Sequence, residues 1–167
     1  VYLFRRDGEN WVEQARLVAS DPTEYAGFGS SVAIDGNTVA VGAVQAMQGM
    51  VKSGAVYIFI PDGNDWFQNA RIVPQDPYNW AEFGASVGIN GTTMLVGAPW
   101  ASDGEMEAGA AYLFQNDGGS WQQRAKLLAG DGAEGDGFGI TVSITADTLA
   151  VGSPWALNND QSAGAGY

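Results

Sequence analysis

Short runs in which every second residue is apolar recur along the whole chain. In "SSVAI" (residues 30–34) Val32 and Ile34 alternate with small residues, and in "TVAVGA" (38–43) Val39 and Val41 do the same. A two-residue period sends neighbouring side chains to opposite faces, so each run predicts a strand with one buried face. Between them lies Asp35-Gly36, a dipeptide that tolerates the positive φ of a tight hairpin. "GAVYIFI" (54–60) and "WFQNARIV" (66–73) predict a third and a fourth strand, joined by a polar "PDGND" turn. Helical periodicity is absent. The unit is therefore four short antiparallel strands.

The unit returns with a period of 55 residues and no gaps. Tyr2, Tyr57, Tyr112 and Tyr167 fall in register, as do Trp11, Trp66 and Trp121. Arg16, Arg71 and Lys126 share one position, and Asp21, Asp76 and Asp131 another. Phe-Gly pairs begin at Phe28, Phe83 and Phe138, and the second strand carries Gly42, Gly97 and Gly152. The second unit turns its first hairpin on Asn90-Gly91, whereas "TAD" in the third suits such a turn poorly and predicts a different loop. Repetition of a four-stranded antiparallel unit is the pattern of β-propeller blades. The fold class is all-β, with repeat units at about 1–55, 56–110 and 111–167 in a single region, 1–167. Small residues around Gly42 and Ala43 let neighbouring sheets approach near an axis, and Phe28 and Trp11 are expected to fill the space between blades.

The first residues, "VYLF", match the third strand, and the last, "AGAGY", match it again. Two complete blades flanked by half-blades are therefore expected, as part of a larger propeller or an assembly. The expected partners are other copies of the chain or further repeats of the same polypeptide. The second strand of the last repeat (148–153) would pair with "VYLF" of a neighbour. Tyr2 and Tyr167 share one repeat position, so one of them must yield at such a junction.

Phe28-Gly29, Phe83-Gly84 and Phe138-Gly139, each followed by a strand and then by Gly97-Ala98-Pro99 or its variants Gly42-Ala43-Val44 and Gly152-Ser153-Pro154, resemble the FG-GAP repeat. Such repeats form the blades of the integrin α-subunit propeller and occur in many bacterial surface and secreted proteins. The resemblance implies a propeller and an extracellular or cell-surface setting. Integrin-type blades bind calcium through an Asp-x-Asp-x-Asp-Gly loop in the first hairpin. Here that loop reads "IDGNT", "INGTT" or "ITADT", too few oxygen ligands for Ca²⁺.

Composition narrows the function. Seven basic residues face 19 acidic ones, a formal net charge of −12, which argues against nucleic acid as a partner. Neither Cys nor His occurs, which removes thiol chemistry and the usual general base. No apolar run is long enough for membrane insertion. The expectation is a non-enzymatic extracellular module for adhesion, recognition or self-assembly. The alternatives are a carbohydrate-binding lectin and the non-catalytic propeller of a larger secreted enzyme.

The loops between second and third strands ("VQAMQGMVKS", "PWASDGEMEA", "PWALNNDQSA") differ most between units, and such loops are where binding is usually placed. Trp100 and Trp155 share one position there and offer flat indoles for sugar rings or partner side chains, or pack over the blade edge. Tyr78 and Trp80 form a second aromatic pair. No certain cofactor emerges. Calcium is the one ion with a candidate loop, at Asp131, Glu134 and Asp136, against the plainer reading of a solvated turn. Asn90-Gly91-Thr92 is a glycosylation sequon on an exposed turn.

Overall fold

The computed structural model describes residues 1–102, 107–158 and 161–167. Among them every regular element is a strand: β1 (Tyr2–Asp7), β2 (Asn10–Arg16), β3 (Phe28–Asp35), β4 (Thr38–Ala43), β5 (Ala55–Asp62), β6 (Asp65–Ile72), β7 (Ser86–Asn90), β8 (Thr93–Ala98), β9 (Ala110–Asn116), β10 (Trp121–Leu127), β11 (Thr141–Ile144), β12 (Leu149–Ser153), β13 (Leu157–Asn158), β14 (Gln161–Ser162) and β15 (Ala165–Gly166). Two complete four-stranded antiparallel sheets, β3-β4-β5-β6 and β7-β8-β9-β10, stand between a β1-β2 hairpin and a β11-β12-β15 sheet, with β13-β14 as a small separate hairpin. The leading strands β3, β7 and β11 neighbour one another, so the sheets are arranged as propeller-like blades.

The hairpins are tighter than the sequence suggests. Asp35 pairs with Thr38 and Asn90 with Thr93, so the loop residues are Gly36-Asn37 and Gly91-Thr92, one place later than expected. Asp62 pairs with Asp65, and the "PDGND" turn shrinks to Gly63-Asn64. In all three, the first loop residue is a glycine with φ between 54° and 62°, a left-handed conformation that glycine adopts without a Cβ clash. The strands can therefore pair right up to it. The third unit, without that glycine, turns over Thr145–Thr148, where the Thr145 N–H donates to the Thr148 carbonyl at 2.9 Å.

The core lies between sheets. Val39, Val41, Tyr57 and Phe59 pack against Leu3 and Leu17 of the first hairpin and its following loop. Val56, Ile58 and Ile72 meet Met94, Val96 and Tyr112 of the next sheet. Leu95 and Ala111 meet Phe138 and Val151. Each sheet thus buries a large-residue face against the smaller face of its predecessor. Trp66 and Trp121 are half-buried in these layers, but Trp11 is 68% exposed, against expectation. Among the described residues no sheet packs on its face of the β1-β2 hairpin.

Phe83 explains the Phe-Gly motif. Its ring meets Tyr112 and Phe114 of its own blade edge-on, at 5.4 and 5.9 Å. Its backbone forms a parallel bridge to Gly54 of the preceding blade. The Gly84 N–H donates to the Gly97 carbonyl at 3.0 Å, and the Gly84 carbonyl accepts from the Ser31 hydroxyl of the preceding blade at 2.7 Å. A Cβ on Gly42 would overlap that same carbonyl and the Ser31 hydroxyl, and one on Gly97 would overlap Gly139 and Ser86. The two glycine positions are therefore one contact between blades, seen from its two sides.

Candidate functional site

β3 runs away from the Phe-Gly corner and β4 returns to it, so the two kinds of loop separate. The tight hairpin turns lie at one end of the sheets. The longer segments 44–54, 73–85, 99–109 and 128–140 lie at the other, with 17–27. Trp100, Trp155, Tyr78, Trp80, Asp131, Glu134 and Asp136 all belong to the long-loop end. Asn90 lies at the opposite end, exposed at the last position of β7, so the sequon is remote from the other candidates. Parts of two variable loops, 103–106 and 159–160, lie outside the described residues.

The loops are tied to one another across blades. The Trp80 N–H donates to the Lys52 carbonyl and the Phe83 N–H to the Ser53 carbonyl, both at 2.8 Å. The Lys52 ammonium sits 4.4 Å from the centroid of the Trp80 ring, a cation–π contact that covers part of an indole still 52% exposed. The Tyr78 hydroxyl donates to Glu107 at 2.6 Å, which raises its pKa above the ordinary phenol value.

Trp100 and Trp155 stack on each other, 5.4 Å between centroids with planes 16° apart. Trp155 also lies against Gly137, where no Cβ stands in its way. The pair therefore joins two blades. Trp155 remains 44% exposed.

One aromatic residue escapes the sequence reading. Tyr25 is 77% exposed and has φ of +61°, and Trp80, 55 positions later, has φ of +66°. The third unit places Gly135 there, with φ of +84°. Bulky side chains at positive φ are uncommon. The signal was present in the register, which aligns Tyr25 with Trp80 once both are counted from the Phe-Gly pair.

The acidic loop divides by role. Asp131 accepts the Tyr167 hydroxyl at 2.6 Å, which pushes that phenol up to about 12. Its equivalents do similar work. Asp76 holds Lys126 at 2.7 Å and lies 3.4 Å from the Tyr112 hydroxyl, and Asp21 holds Arg71 at 3.0 Å, which in turn donates to the Tyr57 hydroxyl at 3.2 Å. Burial first, then Asp76, keeps Tyr112 well above the usual phenol range; burial also raises Tyr57, against the opposing pull of Arg71. Asp136 is buried and accepts the Ala133 N–H at 2.8 Å, closing its own turn, while Glu134 is exposed. Among the described residues these acids do not form a group that could hold a metal ion.

Comparison with family models matches the FG-GAP repeat three times, at residues 11–59, 66–114 and 121–167. A search of curated proteins finds no match.

Proposed function

Because the chain belongs to the FG-GAP repeat family, we propose that this propeller-like module is a non-enzymatic recognition element of an extracellular or cell-surface protein, and that it binds through its long-loop end. The supporting observation is the pair Tyr25 and Trp80. Both are exposed aromatic rings at one repeat position, and both hold a left-handed backbone that costs roughly 1–2 kcal/mol. Neither ring recovers that cost by full burial, so a gain on binding a ligand is the natural compensation. Flat rings on loops that also carry Glu24 and Glu82 suit extracellular protein side chains or glycans, both of which bind through aromatic faces and hydrogen-bond acceptors.

The test is a binding panel of glycans and matrix proteins read against wild type, Tyr25→Gly and Trp80→Gly. Glycine relieves the strain, so the unfolding midpoint of each variant should hold or rise. Binding should fall about tenfold or more, as for loss of an aromatic anchor. A panel with no wild-type ligand, or variants that bind like wild type, would remove this reading. The lectin alternative rests on the loop indoles Trp100 and Trp155, which stack on each other, and survives only if glycans are the class retained.

A further inference from the structure

The tight-turn end of the sheets holds a reactive pair that the loop-end reading leaves unused. Asn90-Gly91 is the one Asn-Gly sequence in the chain; the same repeat position reads Asp35-Gly36 in the first unit and Thr145-Ala146 in the third. Asn-Gly is the pair most open to succinimide chemistry, because glycine puts no side chain beside the nitrogen that attacks. Asn90 and Gly91 are both exposed, and nothing lies within 4 Å of where a Gly91 Cβ would stand. Solvent therefore reaches both reacting groups.

The step balances without an oxidant or a cofactor. The Gly91 nitrogen loses its proton to solvent base and attacks Cγ of Asn90. The bond from Cγ to the side-chain nitrogen breaks, and that nitrogen leaves as ammonia. Water then opens the five-membered imide on either side, giving aspartate or isoaspartate and releasing the proton of the new carboxylate.

The preceding blade restrains this step. The Gly91 N–H donates at 2.6 Å to the carboxylate of Asp35, 56 positions earlier at the end of β3. Ring closure requires the Asn90–Gly91 peptide plane to rotate about ψ of Asn90 until its nitrogen faces Cγ. That rotation first breaks the bond to Asp35, and it disturbs the Asn90–Thr93 pair that ends the β7-β8 ladder. A negative carboxylate beside the nitrogen also disfavours removal of its proton.

We propose that Asn90 is a self-modifying site, held back by Asp35 of the preceding blade and released when the two blades part at this end. The product then keeps them apart. Aspartate at this position sets a second negative charge close to Asp35, where like charges repel. Isoaspartate routes the main chain through Cβ, which adds an atom at the strand end and removes the register with Thr93. Either product also ends the Asn90-Gly91-Thr92 sequon. Residue 90 thus becomes a chemical record of blade separation. The proposal is independent of the loop-end reading.

The experiment incubates the whole chain in mildly alkaline buffer and follows residue 90 by peptide mapping, with aspartate and isoaspartate resolved by chromatography and mass. Asp35 is exposed, so Asp35→Ala and Asp35→Ser should keep the strand circular dichroism of wild type. In the folded chain each should speed conversion about tenfold or more, the worth of a hydrogen bond to a charged group. In denaturant, where no blade stands beside the turn, both should convert at the wild-type rate. Gly97→Ala, which weakens the contact with the following blade, should leave the folded rate unchanged. Should neither Asp35 variant fold, the Gly91 amide of wild type decides, by exchanging its proton at least about tenfold more slowly than in denaturant. Equal folded rates in wild type and the Asp35 variants, a comparable rise in Gly97→Ala, an unprotected Gly91 amide, or a residue 90 that stays asparagine throughout overturns the proposal.

Discussion

At the scale of single residues, the contact between blades is where the chain has least freedom. Gly97 takes an ordinary backbone conformation, and only space forbids a side chain there. Its Cβ would strike the backbone carbonyl of Gly139, which cannot rotate away. Gly97→Ala should therefore cost about 1–3 kcal/mol or more, the range for overpacking. Gly8, with φ of +60° and open space around it, should lose only about 1 kcal/mol on the same change. Denaturant midpoints at constant slope measure both, and equal losses would contradict this account. The tyrosines give a second residue-scale outcome. Tyr167 keeps its proton in the folded chain up to about 12, and Tyr57 and Tyr112 are also raised above 10. The folded state thus holds protons that the unfolded state releases. Their contribution to stability is full below pH 10 and is lost as pH rises through the folded values. Tyrosinate absorbance should show a fraction titrating late, and Asp131→Asn should return Tyr167 towards 10.

At the scale of elements, the blades are held by a repeated strap from the long-loop end: a strand tyrosine, a strand cation and an aspartate from the preceding loop. Asp76 is roughly half exposed, so Asp76→Asn should cost only about 0–1 kcal/mol. Its clearer signature is a fall in the raised Tyr112 pKa. The Trp100–Trp155 stack is a second strap, made by indoles rather than ions. Trp155→Ala should remove about 0.5–1.5 kcal/mol beyond lost area. It should also abolish any exciton couplet in the far-ultraviolet circular dichroism. A variant that keeps the couplet would mean that the two rings are apart in solution.

At the scale of the whole molecule, charge and packing act against each other. A net charge of −12 repels itself on folding, while the buried layers between sheets draw the chain together. Raising salt from about 0.01 to 0.15 M shortens the screening length from about 30 to 8 Å. Few cations are present to lose attraction, so the unfolding midpoint should rise with salt. A fall would show that the Arg71–Asp21 and Lys126–Asp76 pairs outweigh the general repulsion.

The sequence by itself determined the strands and their order, because a two-residue apolar period and a 55-residue register are local facts that survive any arrangement of blades. It also determined where the Phe-Gly pairs recur, though not why. Only the tertiary structure decided that Gly42 and Gly97 face backbone carbonyls of the next blade, since nothing in a linear pattern distinguishes a glycine needed for space from one needed for a turn. The contacts of Asp131 and Trp155 were likewise visible only in three dimensions. An acidic loop reads alike whether its carboxylates converge or each binds its own neighbour, and Asp131 is committed to a tyrosine 36 positions away. An exposed indole reads like a stacked one until the blade beside it is in place. Tyr25 lay between the two: its register was visible in the chain, but its strained backbone and exposure depend on how the loop closes over the corner of the sheet.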